Sequence, residues 1–154
     1  MNPPHEPRKL LVVGSGAIGI EFASFYYSIG ANVTVVEVMD HILPVEDAEI
    51  AAFAKKAFVK QGMKVLEGAK VAKLDRGENQ VTARIETSDG VEVQEFDTVI
   101  SAVGIVGNVE GLGLKDVGVE FDRSHIVTDA YCRYYFPPQL NYTGNNGAPW
   151  LAHK

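Results

Sequence analysis

Three glycines and one carboxylate are the residues of this chain best placed to do chemistry. Gly14, Gly16 and Gly19 make a G-x-G-x-x-G turn, and Glu37 follows Gly19 by 18 residues. That spacing suits a diphosphate. The first glycine permits a tight turn, the second lets the backbone approach a pyrophosphate, and the third lets a helix pack close on a strand. Amides at the start of the helix, among them those of Ala17 and Ile18, have no intrahelical partner, and the helix dipole favours an anion there. A carboxylate roughly 20 residues further on suits a ribose. Glu37 is expected to accept hydrogen bonds from both ribose hydroxyls of an adenosine. A 2′-phosphate would be repelled, and Val38, Met39, Asp40 and His41 offer no Arg or Lys to receive one. NAD(H) is therefore expected over NADP(H).

These residues need particular elements around them. Residues 10–13 read as an apolar strand that feeds the glycine turn. A helix is expected over 17–29, with Ile18, Phe22, Phe25 and Ile29 as its buried stripe and Gly30 as its stop. Residues 33–36 are an unbroken apolar run, the mark of a strand covered on both faces. A second helix is expected over 45–61, with Ile50, Phe53, Ala54, Ala57 and Phe58 as its apolar face. Glu46, Asp47 and Glu49 at its start and Lys60 at its end suit the dipole. Residues 63–66 read as a third strand.

The pattern then changes. Residues 70–75, 81–87 and 91–96 are short, partly alternating strands separated by turn residues at 76–79 and 88–90. They read as a three-stranded antiparallel meander in the place of a crossover helix. Residues 97–102 return to the parallel sheet, and 126–129 form a late short strand. The expected class is α/β: a Rossmann-like open parallel sheet with helices on both faces and a three-stranded antiparallel β-meander insertion. Residues 1–8, with three prolines, read as a linker, 9–133 as the nucleotide-binding domain, and 134–154 as a diverged tail.

Composition excludes several functions. The chain has 154 residues, 46% of them hydrophobic, enough for one real core. A net charge of −6 argues against binding a nucleic-acid backbone. No run approaches ~20 uninterrupted apolar residues, so no membrane span is expected. The N-terminus has no apolar signal-peptide core. The single cysteine, Cys132, permits no internal disulfide, and the four histidines show no metal-ligand spacing.

The residues go further than the fold. The segments 10–26, 32–37, 42–44, 47–49, 101–108, 111–114, 126–129 and 148–154 resemble the NAD-binding part of the dihydrolipoamide dehydrogenases, which are FAD- and NAD-linked disulfide reductases. The resemblance implies that Gly14, Gly16 and Gly19 hold the pyrophosphate with Ala17 and Ile18, and that Glu37 holds the adenosine ribose. It also implies that Glu21 approaches the nicotinamide, that Val71 flanks the adenine, and that Gly104 lines the nicotinamide side. The simpler readings are that Glu21 only favours the helix start and that Val71 is core.

The same resemblance implies a parent that oxidises protein-bound dihydrolipoamide and passes electrons through FAD to NAD+. Its redox disulfide, FAD domain and dimerisation domain with a catalytic His–Glu pair would lie outside these residues. The chain is then expected to bind NAD(H), without FAD and without turnover. The parent would work with lipoyl proteins of 2-oxoacid dehydrogenase complexes, in the bacterial cytoplasm or the mitochondrial matrix. The tail departs from the family pattern: the Asp that would touch the FAD ribitol is absent, with Asn145 or Asn146 nearby. A truncated, diverged or altered chain would each account for this. Two other functions compete: a stand-alone NADH-sensing module, and a non-binding fragment that self-associates through exposed apolar residues such as Tyr134, Tyr135, Phe136, Trp150 and Leu151.

Overall fold

The structure, a computed structural model, describes residues 6–133, which divide into two units, one ending at Val103 and the other beginning at Gly104. The tail features expected between 134 and 154, the apolar patch and Asn145 or Asn146 included, lie outside the described residues, as do residues 1–5 of the linker.

The first unit runs β1 (Lys9–Val13), α1 (Ala17–Ser28), β2 (Asn32–Val36), α2 (Ala48–Gln61), β3 (Lys64–Leu66), β4 (Lys70–Arg76), β5 (Val81–Thr87), β6 (Gly90–Phe96) and β7 (Thr98–Ser101). Strands β3, β2, β1 and β7 lie side by side in that order, all parallel. Leu10 sits between Val33 and Thr98, and Val12 between Val35 and Ile100. β-branched and leucine side chains on both faces are what a doubly covered parallel sheet requires. The chain moves outward from β1 to β2 and β3, then returns to β7 on the other side of β1. The carboxyl end of β1 is thus a topological switch point, where open α/β sheets bind ligands.

Alternation along the strands separates two cores. Leu10, Val12, Val33, Val35 and Ile100 pack against Ile20, Ala23 and Tyr26 of α1, with Ala54 and Phe58 of α2 beside them. Leu11 and Val36 face the other way, onto Ala83, Ile85 and Phe96 of the antiparallel sheet β4-β5-β6. The open parallel sheet and the meander are as the sequence led us to expect. The layering differs in one respect: both described helices pack on one face, and the meander covers the other. The physical reason is that β5 and β6 turn Ala83, Ile85 and Phe96 inward, which buries the second face as a crossover helix would.

Both helices turn inward only part of the faces expected: Phe22 of α1 and Ala54 and Phe58 of α2 pack on the core, and other expected residues do not. On α1 the buried residues are Gly19, Ile20, Ala23 and Tyr26, while Phe25 is 57% and Ile29 50% exposed. Small Gly19 and Ala23 let the helix approach the sheet, and Phe25 lies about 140° round the helix from Ile20. α2 starts at Ala48 rather than at 45, because the Asp47 side chain caps it by accepting from the amides of Glu49 and Ile50. Its buried residue is Ala51, with Ala54 and Phe58 partly covered. Ile50 and Phe53 are exposed, the latter by 75%.

The second unit contains a short hairpin, β8 (Phe121–Asp122) paired with β9 (His125–Ile126). The late strand expected at 126–129 therefore lies slightly earlier and is shorter.

Candidate functional site

The glycine turn leaves β1 at Val13 and is fastened at once: the Gly14 amide donates to the Val36 carbonyl at 2.9 Å. Gly14 has φ +93°, and a Cβ there would stand 2.4 Å from the Ala102 carbonyl oxygen. No other residue fits that position without moving the end of β7. A Cβ on Gly19 would stand 2.1 Å from the Gly14 carbonyl oxygen, so α1 passes directly against the turn. Gly16 is different. Its φ of −61° is ordinary, and a Cβ there would meet nothing within 4 Å. Open space lies in front of it.

Gly16 is also the N-cap of α1, and no side chain caps the helix. The first intrahelical bond runs from the Ile20 amide to the Gly16 carbonyl at 3.0 Å. The amides of Ala17, Ile18 and Gly19 have no acceptor among the described residues. Ala17 is exposed and Ile18 half-buried. Uncapped amides at a helix start carry partial positive charge and suit an anion.

Glu37 follows directly after β2 and is 5% exposed. Its Oε2 accepts from the Ser15 amide at 2.8 Å and from the Ser15 hydroxyl at 2.6 Å, and its Oε1 accepts from the Met39 amide at 2.9 Å. Burial alone would raise its pKa. The hydrogen bonds from the Ser15 hydroxyl and from the amides of Met39, Ser15 and Val38 outweigh burial and hold the carboxyl below the usual carboxylate value. Glu37 is thus an ionised, buried acceptor joined to the turn. Its backbone is held too, between the Leu66 carbonyl and the Ala69 amide, both at 2.8 Å.

The connector after β2 closes on the same place. The Leu43 amide donates to the Ser15 carbonyl at 3.0 Å, with Leu43 in the left-handed region at φ +51°. The Ile42 amide donates to Glu67 at 3.0 Å, and Glu67 also pairs with Lys55 of α2.

The structure therefore brings together Gly14, Gly16, Ala17, Ile18, Gly19 and Glu37. Two of the other expected residues, Val71 and Glu21, lie in the same unit. Val71 lies half-buried in β4 and packs on the core cluster of Leu11 and Val36, as in the simpler reading of it. Glu21 is exposed one turn into α1 and makes no hydrogen bond among the described residues. Gly104, with φ +145°, opens the second unit. Sequence reasoning missed Ser15, Met39 and Leu43. Only the serine carries a signal, a hydroxyl donor inside the turn, and nothing nearby in sequence says what it bonds. No group of three or more potential metal ligands occurs among the described residues, and none of the helices is long and apolar enough to cross a membrane.

A parallel sheet with a glycine turn at its switch point and a buried carboxylate just past its second strand defines the Rossmann class of α/β domain. Within that class the chain belongs to the pyridine nucleotide-disulphide oxidoreductase family, whose model matches residues 1–138. It is similar to the dihydrolipoyl dehydrogenase of Rhizobium etli, at 51% identity over 156 residues, covering 100% of this chain and 32% of the relative. The dihydrolipoyl dehydrogenase of Zymomonas mobilis is 45% identical, covering 100% of this chain and 33% of the relative. Among solved structures, LpdA from Mycobacterium tuberculosis matches with a TM-score of 0.74 at 32% identity, over 87% of this chain and 29% of that one. The chain thus spans about a third of the length of the curated relatives it matches.

Proposed function

We propose that this chain is the NAD(H)-binding part, over residues 9–133, of a dihydrolipoyl dehydrogenase. The observation that carries the reading is Glu37, an ionised and buried acceptor tied through Ser15 to a helix start with unpaired amides. The residues fit the group. Nothing stands within 4 Å of where a Cβ on Gly16 would lie, which suits the close approach of a pyrophosphate, the amides of Ala17, Ile18 and Gly19 suit its charge, and Glu37 suits an adenosine ribose. A carboxylate there repels a 2′-phosphate, so NADH is favoured over NADPH.

When bound, the dinucleotide supplies the acceptor for a hydride. What these residues do is hold and orient it. Glu21 and Gly104 serve the nicotinamide side in this reading, and Val71 adds apolar surface near the adenine. In the parent, electrons from protein-bound dihydrolipoamide pass through FAD to NAD+. That route needs a redox disulfide, and this chain has one cysteine. The chain alone then binds without turnover. Its parent's partners are the lipoyl proteins of 2-oxoacid dehydrogenase complexes, in the bacterial cytoplasm or the mitochondrial matrix.

Calorimetric titration of the chain with NADH and with NADPH tests this, with Glu37→Ala alongside. NADH binding that exceeds NADPH binding and weakens in the variant supports the reading. Absence of binding to both overturns it and leaves a structural fragment, whose self-association light scattering would show.

A further inference from the structure

One face of the parallel sheet changes character along its strands. Leu11, Val13, Val36 and Leu66 turn toward the meander and pack on its core. Side chains alternate along a strand, so Lys9, Asn32, Thr34 and Lys64 share that face nearer the amino ends. All four are polar, and between them and the meander lies a cavity of about 550 Å³. Val93 and Phe96 of β6 give it an apolar wall. That volume falls within the range of small-molecule sites. The glycine turn leaves the opposite end of β1, roughly 15 Å along the strand, so the cavity is separate from the site described above.

Thr34 is only 5% exposed, yet its hydroxyl makes no hydrogen bond among the described residues and it borders the cavity. A buried hydroxyl without a partner is costly, and a ligand oxygen would supply one. Lys9 sits on the adjacent strand, opposite Asn32 and diagonal to Thr34. Its backbone is fixed by Asp97, whose carboxylate accepts from the Lys9 amide at 2.9 Å and whose amide donates to the Lys9 carbonyl at 3.1 Å. The Lys64 ammonium is held by Glu92 at 2.7 Å, whereas that of Lys9 meets no carboxylate among the described residues. Glu95 also lines the cavity and accepts from the Gln80 amide at 3.1 Å. One uncompensated ammonium, one unpaired hydroxyl and an apolar wall suit a single negative charge on an apolar body. A dianion would be repelled by Glu95.

We propose that this cavity is a ligand site for a small aliphatic monocarboxylate. The carboxylate meets the Lys9 ammonium and the Thr34 hydroxyl, and the hydrocarbon part lies along Val93 and Phe96. The site does not depend on the nucleotide reading, because it lies at the other end of the sheet.

Amide NMR on the whole chain tests this with hexanoate, hexanamide and inorganic phosphate. Hexanoate should shift the amides of Lys9, Asn32, Thr34 and Lys64 saturably, with a Kd of about 1 mM. Hexanamide lacks the charge, and phosphate lacks the apolar body and meets Glu95, so each should bind about tenfold or more weakly. Lys9→Gln should weaken hexanoate about fivefold or more. Thr34→Val should weaken it about threefold or more and leave thermal stability equal or higher, because the hydroxyl removed had no partner. A hydroxyl that served the fold alone would give the reverse, lower stability with hexanoate binding unchanged, and would overturn the proposal. So would equal binding of hexanoate and hexanamide, shifts scattered away from these strands, or no saturation by about 20 mM. Phosphate binding as tight as that of hexanoate would overturn it too and leave a site for charge alone. Should Thr34→Val fail to fold, the three probes and Lys9→Gln, at an exposed position, decide the matter.

Discussion

Ser15 holds Glu37 twice: its amide lies 2.8 Å and its hydroxyl 2.6 Å from the same carboxylate oxygen, across 22 residues of chain. One residue inside the glycine turn thus sets the position and charge of the acid just beyond β2. The same serine accepts from Leu43 through its carbonyl, so hydrogen bonds tie the turn, the strand end and the connector together.

Removing the carboxylate should therefore cost stability as well as binding. Glu37→Ala leaves the Ser15 amide and hydroxyl buried without their acceptor, at about 1–3 kcal/mol for each orphaned group. The chain is expected to lose about 2–4 kcal/mol in urea denaturation, and Glu37→Gln, which keeps one acceptor oxygen, less. A loss under about 0.5 kcal/mol would show that the pair contributes nothing to folding.

The lowered pKa of Glu37 gives stability a definite pH dependence. In the unfolded chain this carboxyl titrates near its ordinary value of about 4.3. Between the folded and unfolded values the unfolded state binds more protons, so stability rises with pH across that window. The contribution is complete above the unfolded value and is lost as pH falls through the folded one. Glu92 and Asp129 are lowered as well, chiefly by hydrogen bonds from Lys64 and Arg133, so the raw profile mixes three groups. The difference between the chain and Glu37→Gln isolates one, and its slope should appear on the acid side of the ordinary carboxylate value, between the folded and unfolded values of Glu37. Parallel profiles would contradict the assignment.

Two glycines of the same turn should respond oppositely to alanine. At Gly19 the new methyl group meets the Gly14 carbonyl, and a forced shift of that kind costs about 1–3 kcal/mol. At Gly16 it meets nothing, so stability should change by less than about 1 kcal/mol. Yet Gly16→Ala places its methyl where a pyrophosphate would approach, and NADH should bind about tenfold or more weakly. Thermal unfolding and calorimetry on both variants separate the fold role from the ligand role. A Gly16→Ala chain as unstable as Gly19→Ala would show that the open space serves folding.

Asp47 offers the complementary control. Among the described residues its side chain bonds only the amides of Glu49 and Ile50, at the start of α2. Asp47→Ala should cost about 1 kcal/mol in denaturant titrations, the usual worth of an N-cap. Nucleotide affinity should be unchanged, and a marked loss would mean that α2 helps to shape the site.

Much of the architecture was legible because it is written in local spacing. Unbroken apolar runs, partly alternating strands, the glycine turn and the turn residues of the meander need no partner to be recognised. The buried face of α1 was legible only in part: of the stripe Ile18, Phe22, Phe25 and Ile29, Phe22 packs on the core, but Gly19 and Ala23 allow closer approach and bring Ile20 and Tyr26 inward while Phe25 and Ile29 stay exposed. Similarly, Ile50 and Phe53 stay exposed because the Asp47 cap and the contacts of Ala51, Ala54 and Phe58 set the rotation of α2.

By itself, then, the sequence determined the order of elements, the turn at Gly14, Gly16 and Gly19, and the acid at Glu37, since each depends on neighbours within one strand–helix–strand unit. The tertiary structure alone decided that both described helices share one face, that Val71 packs into the core, and that Ser15 bonds Glu37 Oε2 twice. Those outcomes depend on which distant side chains fill a face or satisfy a buried donor. Packing and hydrogen-bond geometry exist only once β1 and β2 lie side by side.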